Sequence, residues 1–259
     1  MEWVQPLFRY ETAFVLILFR TASFLAVLPI MSGRSIPGLI KVSLALAVSL
    51  ILVPIIPIQP APPTVSAWVV GLAGEMMIGW VIGLGSRLIF AAVELGGELA
   101  GLQMGFGIAN VIDPSSNQPV PLIEQFYTLL AVLVFFGIHA DHLVLRALVQ
   151  SFTILPPMTF NPGGAPIGQL VQSTGQLFVM GMRIAIPVTI ALLLANVALG
   201  IISRVVPQMN VWLMSYPITI SLGLLIMGAT LSLYVALLQN QMAGLEGTIG
   251  GLLLEMKNP

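Results

Sequence analysis

The 259-residue chain has no cysteine and little charge: nine Lys and Arg, ten Asp and Glu, and two His. Without cysteine there is no disulfide, no thiolate metal site and no thiol chemistry. A net charge of −1, with no run of Lys or Arg, excludes the basic field that draws a protein onto nucleic acid or anionic lipid. Also missing are the phosphate-cradling G-x-x-x-x-G-K-[ST] loop, a G-x-G-x-x-G turn between strand and helix, H-E-x-x-H and G-x-S-x-G. The chain is therefore not expected to hydrolyse ATP. Ser115 and Ser116 stand beside Asp113 with no His near in sequence, and a Ser–Asp pair in a turn is far more often a backbone cap than a nucleophile. The chain reads as a non-enzyme, with no catalytic, cofactor-binding or metal site expected. Its first residues, MEWVQPLFRYE, lack the positive region of a secretory signal, so the N-terminus is expected to stay uncleaved.

What fills the chain instead is apolar. Hydrophobic residues make up 58% and charged ones 7%, with a mean hydropathy of +1.02; in soluble domains about a quarter of residues are charged. This is the composition of a polytopic, all-α membrane protein. Six apolar runs follow one another: residues 13–31, 39–58, 68 to beyond 101, 122–138, 170–203 and 211–238. The third and fifth exceed one bilayer crossing at about 1.5 Å per residue. They are expected to project beyond the membrane, tilt strongly or break, with Pro187 kinking the fifth. Past the sixth run, the tail carries Gly244, Gly247, Gly250 and Gly251 and reads as weakly amphipathic.

The few charges fall in telling places. Arg20 lies near the centre of the first run, where facing lipid costs about 2.5–3.5 kcal/mol, so it is expected to face protein or water. Glu75, Arg87, Glu94 and Glu98 gather in the third run, and the last three can form one polar stripe on a helix. Such a stripe serves either as a proton or cation path or as a set of partners for neighbouring subunits or water. Gly79 and Gly83 add a G-x-x-x-G packing face. His139-Ala140-Asp141-His142 closes the fourth run. Two or three side chains make a weak metal site, and no further His exists in the chain, so this segment reads as a polar helix end.

One stretch interrupts the apolar pattern most deeply: residues 105–121, GFGIANVIDPSSNQPVP. It is entered from a helix whose Gly97, Gly101 and Gly105 share one face and let another backbone come close. It is left through Pro114, Pro119 and Pro121, which cannot donate main-chain hydrogen bonds, so no regular helix or central strand runs through it. Irregular backbone in hydrocarbon strands its amides, so this loop must lie in water, be wrapped in protein, or line a water-filled passage. A plain connector between helices satisfies the first condition; a functional loop satisfies the others.

Gln103-Met104-Gly105-Phe106-Gly107-Ile108-Ala109 followed by Asp113-Pro114, with Arg204-Val205-Val206-Pro207-Gln208-Met209-Asn210 and Pro217, resembles the FliR family of the flagellar type III export apparatus, which has counterparts in virulence secretion. The resemblance covers nearly the whole chain and implies a single integral membrane domain over residues 1–259. It implies helical hairpins built like a FliP unit joined to a FliQ unit, within a helical hetero-oligomer with FliP and FliQ, flanked by FlhB and lifted partly out of the bilayer. That setting is the bacterial inner membrane at the flagellar basal body, where the assembly exports unfolded flagellar proteins. By the same resemblance, Met104, Gly105, Phe106, Gly107, Ile108, Ala109, Asn110, Val111, Ile112, Asp113 and Pro114 belong to a pore plug, aided by a methionine-rich ring from FliP. Phe106, Ile108, Val111 and Ile112 would be its apolar stoppers. Arg20, Glu75, Arg87, Glu94, Glu98, Arg183 and Arg204 would pair with charges on neighbouring subunits or be wetted, and Pro207, Gln208 and Asn210 would form a helix corner and subunit contact. The competing reading is a secondary transporter or channel for a small solute. That reading needs internal repeats and paired broken helices, and the two halves show no convincing repeat.

Overall fold

A chain with long apolar runs punctuated by Pro and Gly can satisfy its backbone in hydrocarbon only as helices, and helices are what it forms. A computed structural model describes residues 5–32, 36–57, 64–106, 121–160, 167–206, 208 and 211–257, and among these there is no strand. The helices are α1 (Gln5–Val27), the short α2 (Pro29–Ser32), α3 (Gly38–Leu52), α4 (Val65–Met104), α5 (Leu122–Gly137), α6 (Ala140–Ile154), α7 (Ile167–Val205), α8 (Val211–Ala229), α9 (Leu231–Ala243) and α10 (Leu245–Lys257). Thr64 caps α4, its hydroxyl accepting the Ala67 N–H at 3.3 Å.

Neither overlong run breaks. α4 is a continuous helix of 40 residues and α7 one of 39 that carries Pro187 inside it, each about 60 Å long. Among the described residues these two are long and apolar enough to cross a membrane, and counting each pair interrupted at Gly137–Ala140 and at Thr230 as one span raises the number to four. The sixth run is thus not a single helix. Thr230 turns its hydroxyl back onto the Ile226 carbonyl at 2.8 Å, a side-chain bond that competes with the helical ladder and bends it. The tail, weakly amphipathic as its sequence reads, still forms a packed helix: α10 buries Leu245, Ile249, Leu252, Leu253 and Met256 and packs on α6.

The chain divides into two units. The first comprises residues 1–88, 139–173 and 242–259. In it α1 packs on α3, and the first part of α4 packs on α1 through Gly79 and Gly83. A Cβ on Gly79 would strike the Arg20 carbonyl, and one on Gly83 would lie 2.8 Å from the Phe24 carbonyl, so the G-x-x-x-G face is used as its spacing predicts. The second unit comprises residues 89–138 and 174–241. Its core sets the rest of α4 against α5, α7 and α8. Phe90 meets Phe135 edge to face with centroids 5.9 Å apart, and Gly96 lies against Ile184. The Tyr234 hydroxyl donates to the Tyr127 carbonyl at 2.6 Å, tying α9 to α5.

Candidate functional site

The second unit holds both ends of the central loop. At the entry, α4 runs to Met104, whose side chain is fully buried. Three residues of α8 receive this end: Tyr216, Thr219 and Gly223, spaced to lie on one helix face. The Thr219 hydroxyl donates to the Met104 carbonyl at 3.1 Å, satisfying an acceptor that the end of α4 leaves without a helical partner. Gly223 leaves room for the Met104 side chain, since a Cβ there would come within 2.6 Å of Met104 Cγ. Gly105 then turns the chain with φ of +96°, a conformation that favours glycine, and a side chain on it would press the Tyr216 ring.

At the exit, Pro121 precedes α5 and its carbonyl accepts the Gln125 N–H at 2.8 Å. The first turn of α5 lies directly on the glycine face of α4. A Cβ on Gly97 would be 2.6 Å from Glu124 Cα, a backbone atom, and one on Gly101 would be 3.4 Å from Ile123 Cβ. The close backbone approach expected from the glycine spacing is therefore present. The loop is held at entry by α8 and at exit by α4, with both ends pinned on helices of one unit. Of the expected plug residues, Met104 is buried and Gly105 and Phe106 are half-buried. Gly107, Ile108, Ala109, Asn110, Val111, Ile112, Asp113 and Pro114 lie outside the described residues.

Carboxylates surround the exit. Glu94 and Glu124 are half-buried and Glu98 is exposed, and the charges of Glu94 and Glu98 both repel that of Glu124. This brings a third acid, which the sequence stripe did not include, beside two that it did. Arg87 is half-buried, while Arg183, Arg204 and Gln208 are exposed. Pro207 and Asn210 lie outside the described residues.

Arg20 and Glu75 depart from the expected role. Instead of facing neighbouring subunits or water, they are fully buried in the first unit and bond each other, Arg20 Nε donating to Glu75 Oε2 at 2.6 Å. Arg20 Nη1 donates to Ser151 Oγ at 3.1 Å and Nη2 to the Leu155 carbonyl at 3.0 Å, and its guanidinium lies 4.1 Å from the centre of the Phe152 ring. Glu75 Oε1 accepts the Met158 N–H at 3.1 Å. An ion pair in this setting persists because each guanidinium nitrogen and each carboxylate oxygen has a hydrogen-bond partner. It ties α1 and α4 to the end of α6 and the segment after it, along which Met158 and Phe160 fill the space left by Gly71 and Gly74.

The outer face of α7 is apolar. Phe178, Met182, Ile190, Leu194, Val197 and Ile201 are all exposed, and only 28% of its most apolar stretch is buried within the chain, against 56% for α4. Helices of this length with this much exposed apolar surface define a polytopic α-helical membrane protein. The chain belongs to the bacterial export proteins, family 1, whose family model matches residues 12–245. It is similar to the flagellar biosynthetic protein FliR of Pectobacterium carotovorum subsp. carotovorum, 31% identical over 83% of this chain and 82% of the relative. FliR of Escherichia coli (strain K12) is also 31% identical, over 83% of each chain, and FliR of Bacillus subtilis (strain 168) is 29% identical over 88% of this chain and 89% of the relative.

Proposed function

We propose that this chain is a subunit of the flagellar type III export gate in the bacterial inner membrane, where it helps to form the channel for unfolded flagellar proteins and supplies a loop that plugs it. The observation that carries the reading is the mounting of the loop. Irregular backbone between two apolar helices is tolerated where protein or a water-filled passage surrounds it, and here both of its ends are held on rigid helices, by Thr219 and Gly223 at Met104 and by Gly97 and Gly101 at the first turn of α5. A stopper must sit in one place against its channel, and two fixed ends provide that. Family membership supports the export role, and the names of the FliR relatives support the flagellar one.

The partners in this reading are FliP and FliQ in one hetero-oligomer, with FlhB beside it. The exposed apolar face of α7 and the acidic group Glu94, Glu98 and Glu124 suit burial against neighbouring helices that carry apolar and basic side chains. Nothing in the reading requires catalysis by this chain. Native mass spectrometry of the chain, co-expressed with those three neighbours and purified in mild detergent, tests the assembly. A single copy in a large hetero-oligomer is expected, whereas a monomer or homodimer that ignores them refutes the gate and favours a small-solute transporter. Deleting residues 110–118 tests the plug: the complex should still assemble, and its membranes should leak small ions. Unchanged permeability in an assembled complex refutes plugging while leaving the assembly intact.

A further inference from the structure

We propose that His139, Asp141 and His142 form a binding site for a divalent first-row transition-metal ion of zinc type at the start of α6. Sequence spacing alone assigns these residues to a polar helix end; the folded chain adds geometry. The only two histidines of the chain meet here, their rings edge to face with centroids 5.6 Å apart. One ligand atom from each of His139, Asp141 and His142 falls within 4.8 Å of the others. Two donors on a tetrahedral zinc ion are about 3.4 Å apart, given bonds of about 2.0–2.1 Å. His142 Nδ1 and Asp141 Oδ1 already stand at 3.3 Å. His139 has only to close the remaining gap of about 1.4 Å, a rotation that an exposed side chain makes freely.

Two further observations separate this cluster from an ordinary helix start. Asp141 Oδ1 is itself shielded from solvent and accepts no hydrogen bond, its near neighbour being the His142 ring nitrogen at 3.3 Å, so a lone pair of this oxygen is open to a shared ion. His139 occupies the position just before α6 with φ of 56° and ψ of 36°, and it makes no side-chain cap bond to the helix, leaving its ring nitrogens available. The His142 side chain is 69% exposed, so an ion reaches the site from water. Two imidazoles and a carboxylate suit Zn²⁺, Ni²⁺ or Cu²⁺ rather than Mg²⁺ or Ca²⁺, which prefer all-oxygen sites. Three protein ligands leave a fourth position for water or for a side chain of another subunit. Arg146, one turn beyond His142, is the positive charge on α6 that a bound cation must tolerate.

The whole chain, purified in detergent with a histidine-free tag and stripped with chelator, is titrated with Zn²⁺ by calorimetry and with Co²⁺ by visible absorption. One ion per chain is expected, with the absorption of four-coordinate Co²⁺. H139A and H142A should each weaken binding by at least about tenfold, and D141N should weaken it measurably while helix content is unchanged. Equal binding by the wild type and the H139A/H142A double variant, or the absence of a saturable one-to-one site, means adventitious metal only and overturns the proposal. Electron paramagnetic resonance of the wild type loaded with one equivalent of Cu²⁺ gives a second reading that needs no variant: coupling to two imidazole nitrogens supports the site, and coupling to one or none overturns it.

Discussion

Breaking the Arg20–Glu75 pair should damage the first unit more than removing it altogether. Both side chains are fully buried, and they bond at 2.6 Å. Replacing Glu75 by Leu leaves the guanidinium with Ser151, the Leu155 carbonyl and the Phe152 ring but no counter-charge, and it strips the Met158 N–H of its acceptor. Truncating one partner of a buried ion pair costs about 3–5 kcal/mol, and the orphaned amide adds about 1 kcal/mol. Arg20→Met strands the carboxylate in the same way. In the double variant, Arg20→Met with Glu75→Leu, no buried charge remains. What persists is the Met158 N–H and one unmet lone pair on Leu155, together about 1–3 kcal/mol. The double variant should therefore be more stable than either single variant, with a coupling of at least about 2 kcal/mol. Unfolding in mixed mild-detergent and dodecyl-sulfate micelles, followed by the fluorescence of the four tryptophans, measures all three. Additive losses to within about 0.5 kcal/mol would refute the reasoning, because they would mean that each group is solvated independently.

Three smaller tests follow from the loop mounting and the tail. In this cysteine-free chain, Gly101→Cys with Ile123→Cys should oxidise readily to a disulfide visible as a gel shift, since the two Cβ positions lie 3.4 Å apart, close to the separation of about 3.8 Å that a disulfide prefers. Gly97→Val should slow or abolish that cross-link, because its Cβ meets Glu124 backbone atoms that cannot step aside. Thr219→Val removes the donor to the Met104 carbonyl and should cost about 1 kcal/mol in the same unfolding assay, with protease sensitivity rising first near residue 106. Ile249→Ala, which empties a fully buried position of α10, should cost about 2–5 kcal/mol, whereas Leu254→Ala, on its exposed face, should cost little.

Which features were legible in the sequence follows from the range over which each acts. The glycine faces were readable because helical spacing is local: Gly79 and Gly83 on α4, and Gly97 and Gly101 further along it, each found the close neighbour that their period implies. Arg20 was readable as a residue that must meet protein or water, but its partner was not. Glu75 lies 55 residues away, and along α4 it stands nearer to Arg87, Glu94 and Glu98. Helix geometry rules out a shared site for all four, since 19 residues separate Glu75 from Glu94, a rise of about 28 Å. The tail stayed hidden because Gly244, Gly247, Gly250 and Gly251 dilute the apolar period that Leu245, Ile249, Leu252, Leu253 and Met256 nonetheless keep. Thr230 was equally quiet, since one hydroxyl turned onto a carbonyl leaves no trace in a hydrophobic run. The loop shows the same division. Its prolines alone exclude a regular helix or central strand, but Tyr216, Thr219 and Gly223 sit more than a hundred residues beyond Gly105, where the local sign was three small or polar-tipped residues on one face of an apolar helix. Under the proposed plug reading the loop acts through residues outside it, and a change at Thr219 or Gly97 should alter channel closure without touching the loop itself.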